Sequence, residues 1–319
     1  MKFKRNYFPP PGVGVDEPDG SLVCRFEAAA DGPASTYVYE PSLVLAINVA
    51  LATGRPLLLA GEPGCGKTTL ATNVALAKGW ARYQHTVSSR SQAPELLWEL
   101  DTLRRLNDAY DPQRRLWDED RYVEPGMFWW ALAPISASRR GLPQAIENPP
   151  APPPGHKAGG GAVLLIDEID KAEPDVPNDL LEVLDTRGFS VRGRAVKPER
   201  SEVLMAITTN LERDLPGAFM RRCVVYRIPE AQPPWFSRIA AQRFPQVDAM
   251  LAAEVEGRLM IHRDEARRRG TRMPGTAEYL DALAALVHLQ VLDRASAQGN
   301  TAWDLIERCV FGKQVAVEG

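Results

Sequence analysis

Nine consecutive residues, Gly61, Glu62, Pro63, Gly64, Cys65, Gly66, Lys67, Thr68 and Thr69, carry the most specific chemistry in the chain. They fit G-x-x-x-x-G-K-[ST], a loop that wraps an anion. The glycines let the backbone come close to such a ligand. Several amide N–H groups then point inward at the positive end of a helix dipole. Lys67 has the reach for the outer phosphates of a nucleotide, and the Thr68 hydroxyl is a ligand for Mg2+. Cys65 lies beside both the helix start and Lys67, which lower a thiol's pKa. The expectation is that alkylation of Cys65 blocks nucleotide binding and that bound nucleotide protects it; the alternative is a thiol that faces away and is inert.

Two acids follow about a hundred residues later. The apolar run Val163-Leu164-Leu165-Ile166 leads into Asp167-Glu168. Acids at the carboxyl end of a central strand lie where ligands bind in parallel sheets. Asp167 is suited to hold Mg2+ through water, and Glu168 to orient and deprotonate an attacking water. A third apolar run, residues 203–208, ends at Thr209-Asn210. The amide of Asn210 is suited to contact a γ-phosphate or to position the water. Arg221 and Arg222 precede a fourth run at residues 224–228; they read either as a solvated pair or as cations for a neighbouring subunit's site.

The elements that must hold these residues follow from periodicity. A buried helix face is expected over residues 41–52 (Leu43, Val44, Ile47, Ala50), and strands at 57–60, 81–88, 162–166, 203–208 and 224–228. Continuous apolar strands separated by helical stretches indicate a parallel α/β sheet. Leu96, Leu97, Leu100, Leu103 and Leu106 predict a single helix over 94–110, residues 174–186 predict another, and residues 188–194 read as a hairpin. Phe128, Trp129 and Trp130 read as core in preference to a client-gripping surface. The Pro/Gly-rich stretch 148–161 reads as a mobile surface loop. Residues 1–36 read as a poorly ordered or peripheral extension with one short strand near 22–26. After Pro229 the strands stop, and residues 233–311 read as helices. The expected organisation is an extension (1–36), a nucleotide-binding domain (37–229) with an insert at about 89–161, and a helical lid domain (230–319).

Bulk properties narrow the class. The chain has 319 residues, 45% hydrophobic and 25% charged, with a net charge of -3. That balance is ordinary for a globular protein and gives no overall electrostatic case for nucleic acid. Cys24, Cys65, Cys223 and Cys309 form no Cys-x-x-Cys, and four scattered histidines suggest no metal cluster. The start, Met1-Lys2-Phe3-Lys4-Arg5-Asn6, lacks the apolar core of a secretory leader, and no run is long enough to span a membrane. A cytoplasmic protein with no membrane partner is expected. The basic run Arg263, Arg267, Arg268, Arg269 and Arg272 reads first as a solvated helix face, and second as a contact for an acidic partner or nucleic acid.

The motifs at residues 61–68, 164–168, 207–210 and 221–222, in this order, resemble those of the AAA+ ATPases. Within that family the chain is most similar to the MoxR-like group, the helix-2-insert clade. Residues 180–194 resemble that group's helix and hairpin before the sensor strand, and the insert at 89–161 falls where that clade carries one. The resemblance implies a P-loop three-layer αβα parallel sheet followed by a small helical lid. It implies ATP with Mg2+, a homo-oligomeric ring that is usually a hexamer, and a protein client, often a von Willebrand A-type partner. It implies that Arg222 is an arginine finger, since it stands in the place of the arginine in the family's Asp-Arg-Phe; Arg221, which matches paired arginines of other branches, is the second possibility. Gly275 stands where the family's lid arginine is expected, so Arg272 is the nearest substitute for that second sensor and Arg269 another. Tyr37 and Tyr39 fall where the family seats adenine, or are structural. Asn210 through Asp214 followed by the arginine pair also resembles the McrB GTPases, which implies an alternative function as a GTP-driven nucleic-acid translocase subunit. A third alternative is a switch or scaffold that binds nucleotide without turning it over, against which the Asp167-Glu168 pair argues.

Overall fold

The computed structural model describes residues 7–27, 34–111, 116–291 and 297–312; the N-terminal charges read above lie outside them. Five parallel strands form the central sheet: β1 (Leu57–Ala60), β2 (Ala81–Thr86), β3 (Ala162–Asp167), β4 (Val203–Thr209) and β5 (Val224–Arg227), in the order β5-β1-β4-β3-β2. All residues of β1, β3 and β4 are buried, whereas the edge strands β2 and β5 mix buried or half-buried with exposed positions. Interior strands covered on both faces need apolar residues at every position, which is why they read as continuous runs.

Alternate strand residues face two separate cores. Leu57 and Leu59 of β1, Val163 and Leu165 of β3, and Leu204 and Ala206 of β4 pack with helices α1 (Pro41–Thr53) and α2 (Lys67–Lys78). Leu58, Leu164, Ile166, Met205 and Ile207 face the other layer, built from Trp129, Val183, Phe219 and their neighbours. The result is the expected three-layer α/β/α sandwich. Among the described residues no helix is long and apolar enough to cross a membrane.

Four sequence expectations are corrected. The N-terminal segment is not peripheral: Val15–Asp16, Leu22–Phe26 and Ser35–Tyr39 form an antiparallel sheet, and Phe8, Leu22, Cys24 and Tyr39 join the α1/α2 core. The Tyr39 hydroxyl donates to Asn73 Oδ1 at 2.8 Å, and Tyr39 is fully buried, a structural role. The helix expected over 94–110 is broken. Ala93–Leu97 and Thr102–Tyr110 are helical, but Trp98–Leu100 pairs antiparallel with Val123–Pro125. Asp101 then caps the second helix, accepting from the Arg104 amide at 2.8 Å. Leu103 and Leu106 are left 68% and 52% exposed, so the leucine spacing does not mark a buried face there. The helix expected over 174–186 is likewise split into Asp175–Asp179 and Leu181–Thr186.

The stretch 148–161 has no regular structure, yet it is not a free loop. The buried Arg200 guanidinium donates to the carbonyls of Lys157, Gly159, Gly160 and Gly161, and Tyr83 and His156 are hydrogen-bonded at 2.8 Å. The aromatic cluster of the insert is core: Phe128 and Trp129 are fully buried and Trp130 is 4% exposed.

By internal packing, Met1–Ala60 and Thr68–Arg227 make one compact unit, and Gly61–Lys67 with Ile228–Gly319 make another. In the second unit, α3 (Trp235–Arg243), α4 (Ala249–Arg269), α5 (Thr276–His288) and α6 (Ala297–Val310) surround a core containing Phe236, Leu259, Tyr279, Leu283 and Trp303.

Trp129 is packed edge-on against Phe189 and donates to Ser136. Trp129→Ala is expected to cost about 3–5 kcal/mol in urea unfolding. Leu103→Ala is expected to stay within about 0.5 kcal/mol of the wild type, as exposed positions do. Equal losses would mean that the insert does not belong to this core.

Candidate nucleotide-binding site

The loop from Gly61 to Gly66 leaves the buried strand β1, and α2 begins at Lys67. Gly64 and Gly66 have φ of 80° and 94°, a region that side chains rarely allow. An added Cβ at Gly61 would lie 3.1 Å from Cys65 Sγ and 3.2 Å from Ile228 Cβ, a tight fit that favours glycine. The Lys67 side chain curls into this turn and donates to the carbonyls of Gly61 (2.7 Å) and Glu62 (2.9 Å). Pro63 fixes part of the same loop, and Thr69 follows Thr68 in the first turn of α2.

Both acids sit at the end of β3, and sheet register sets that end beside the ends of β1 and β4. Thr209 of β4 pairs with Ala60 of β1, and Ile207 pairs with Ile166 of β3. Asp167, 8% exposed, accepts from the Thr68 hydroxyl at 2.9 Å and from the Thr208 hydroxyl at 2.5 Å. Thr208 also accepts from the Glu168 amide at 2.8 Å. One hydroxyl therefore orients both acids. A carboxylate beside a hydroxyl is the hard-oxygen donor set that Mg2+ uses when most of its ligands are water. The loop glycines and Lys67 fit phosphate groups, and Thr68 with Asp167 fits Mg2+.

Glu168 is left-handed, with φ 60°, an uncommon state for a residue with a side chain. It is the last residue of the strand-to-turn transition, and the conformation turns its side chain toward neighbouring polar groups. Its Oε2 accepts from Lys171 Nζ at 2.7 Å, and Asn210 Nδ2 lies 3.4 Å from its Oε1. The Glu168 carboxylate raises the pKa of Lys171 through this hydrogen bond. Asp170, 3% exposed, accepts from the amides of Asn210 and Glu212, both at 3.0 Å, and so shapes the turn that carries Asn210. An open pocket of about 410 Å³ adjoins this cluster, lined by Glu168, Lys171, Glu212 and Arg213 with Ser88 and Ser89 from beyond β2.

Thr208, Asp170 and Lys171 had no role in the sequence reading. Asp170 and Lys171 directly follow the acid pair, and that adjacency was the available signal. Thr208 was hidden inside an apolar run.

The arginines divide differently. Arg221 and Arg222 end the short helix Gly217–Arg222. Arg222 Nε donates to Asp185 Oδ2 at 2.5 Å, while Arg221 is exposed. Arg272, 60% exposed, donates to Glu278 at 3.0 Å; the other oxygen of Glu278 accepts from the Gly275 amide at 2.9 Å. Arg269 pairs with Glu265 along α4, and Arg267 with Glu230 and Asp264. Arg263 is fully buried. Most of the basic run is thus neutralised within the chain.

The expectation for Cys65 is corrected. Lys67 does lower the thiol pKa, but burial outweighs it, and the net shift is upward from the ordinary value of 9.0. Its thiolate is scarce at neutral pH. In iodoacetamide labelling read by peptide mass spectrometry, exposed Cys309 is expected to react first, with Cys65 lagging at pH 7 and accelerating as pH rises. Fast modification of Cys65 at pH 7 would contradict the raised pKa of this half-buried thiol.

Comparison with known proteins bears on the same region. In fold the chain is similar to the Thermotoga maritima RuvB Holliday junction branch migration motor, at 16% identity and a TM-score of 0.41, over 83% of this chain and 67% of that one. A RuvB variant from the same organism is similar at 16% identity and a TM-score of 0.44, over 82% and 67%. No curated protein matches the chain in sequence. Residues 56–223, from the start of the phosphate-loop strand through the arginine pair, match the AAA domain of the dynein-related subfamily, and the chain belongs to that family of nucleotide-binding ATPases.

Proposed function

We propose that the chain is an ATP-binding and hydrolysing AAA+ ATPase of MoxR type that assembles into a ring and remodels or activates a partner protein. The observation that carries this reading is the Thr68–Asp167–Thr208 hydrogen-bond chain, with Glu168 set beside Asn210 at the same strand ends. Lys67 and the loop amides bind the β- and γ-phosphates, and Thr68 and Asp167 hold Mg2+ with water. Bound there, Mg2+ neutralises charge developing on the transferred phosphoryl group. Glu168 takes the proton of the attacking water, and Asn210 orients that water. Arg222 acts on the neighbouring subunit's nucleotide, with Arg221 the alternative, and Arg272 is the lid residue nearest the expected sensor position. The internal pairing of Arg267, Arg269 and Arg272 supports the reading of the basic run as a solvated helix face.

Glu168→Gln is expected to bind ATP as the wild type does and to lose about 10^2–10^4 in hydrolysis, the span of general-base catalysis. Lys67→Ala is expected to lose binding. Steady-state hydrolysis and nucleotide titration measure both; unchanged turnover in Glu168→Gln would remove it as the base, and a preference for GTP would favour the McrB-like reading.

Arg222→Ala alone is expected to bind ATP and turn over slowly, and mixing it with Lys67→Ala should restore activity, because one composite interface then has an intact loop and an intact arginine. Hydrolysis across a titration of the two proteins, after subunit exchange is verified, decides this. Activity equal to the summed backgrounds would exclude a trans role for Arg222.

A further inference from the structure

Arg263 is the one member of the basic run that is fully buried. It projects from α4 and its guanidinium lies over the Phe236 ring, 5.9 Å from the centroid. One terminal nitrogen donates to the Pro274 carbonyl at 2.7 Å, directly before α5. The other donates to Glu230 at 2.8 Å and to Glu62 at 3.3 Å. Its Nε has no hydrogen-bond partner. A buried guanidinium is costly unless it is paired, so these carboxylates are held to it by more than surface attraction.

Glu62 belongs to the phosphate loop, 201 residues away in the chain. Its backbone carbonyl is one of the two that accept from Lys67 Nζ. The same residue is therefore gripped from both sides, by its carboxylate through Arg263 and by its carbonyl through the loop lysine. α5 touches the loop as well: the Ala277 amide donates to the Gly64 carbonyl at 3.2 Å.

We infer that Arg263 is a positioning residue for the phosphate loop: through Glu62 it holds the carbonyl that orients Lys67, and so links the helical segment's conformation to nucleotide affinity. The inference rests on the reading of this loop as a nucleotide site. Arg263 does not need to touch the nucleotide, and the role is separate from that of Arg272.

The test measures affinity for a fluorescent ATP analogue with Mg2+, alongside thermal melting, in full-length Glu62→Gln, Glu230→Gln, Arg263→Met and the double variant Glu62→Gln/Arg263→Met. Glu62 is 35% exposed, so Glu62→Gln is expected to fold normally even if Arg263→Met does not. Loss of one charge-assisted hydrogen bond predicts about tenfold weaker nucleotide binding in Glu62→Gln. Where Arg263→Met folds, the double variant is expected to bind no more weakly than the weaker single, because both changes cut the same link. Glu230→Gln removes a partner of the same guanidinium outside the loop, and is expected to lower the melting temperature with affinity within about twofold of the wild type, a surface-scale effect. If Glu62→Gln binds as the wild type does, or if affinity losses simply track melting temperature across the set, the inference is overturned. A wild-type chain that binds no nucleotide overturns the proposed function itself, which is a different result.

Discussion

Strand β4 hydrogen-bonds to β1 on one side and β3 on the other, and the candidate site depends on that register. Pairing of Thr209 with Ala60, and of Ile207 with Ile166, brings the ends of three strands to one edge of the sheet. At that edge the Thr208 hydroxyl receives the Glu168 amide and donates to Asp167, while Thr68 donates to the other Asp167 oxygen. A slip of one residue in β4 would turn Thr208 to the opposite face and separate these partners. The buried runs in β1, β3 and β4 prevent the slip, because both faces are filled by apolar neighbours.

The insert serves the same sheet. Trp129 and its neighbours supply one apolar layer against β2 and β3, and the N-terminal strands extend the other. Segments that look like appendages in the sequence are parts of the two layers that clamp the strands. Their burial explains why the strand ends can carry polar and charged groups: the cost of holding Asp167 and Asp170 nearly buried is offset by fixed hydrogen-bond donors.

Charge pairing sorts the arginines. Arg267, Arg269 and Arg272 find carboxylates within their own helical segment, and the buried Arg263 pairs with the partly exposed Glu62 and Glu230. A cluster that looks like one basic stripe in the sequence is therefore several separate ion pairs. Exposed pairs of this kind contribute little stability, whereas the buried one constrains geometry.

The sequence by itself determined the chemistry of the loop at residues 61–69, the acid pair at the end of an apolar strand, and the parallel α/β class. Each is a local pattern: a motif of fixed spacing, or an apolar run long enough to need cover on both faces. Tertiary structure alone decided which hydroxyl orients Asp167, which amides Asp170 holds, and which carboxylates satisfy Arg263. Those partners lie tens to hundreds of residues away in the chain, and hydrogen-bond choice follows distance in space. It also broke the helix expected over 94–110, because pairing of Trp98–Leu100 with Val123–Pro125 and the Asp101 cap outweighed leucine periodicity. At Cys65 it reversed the expected shift: the loop motif placed a thiol beside Lys67, but only packing set how much water reaches it.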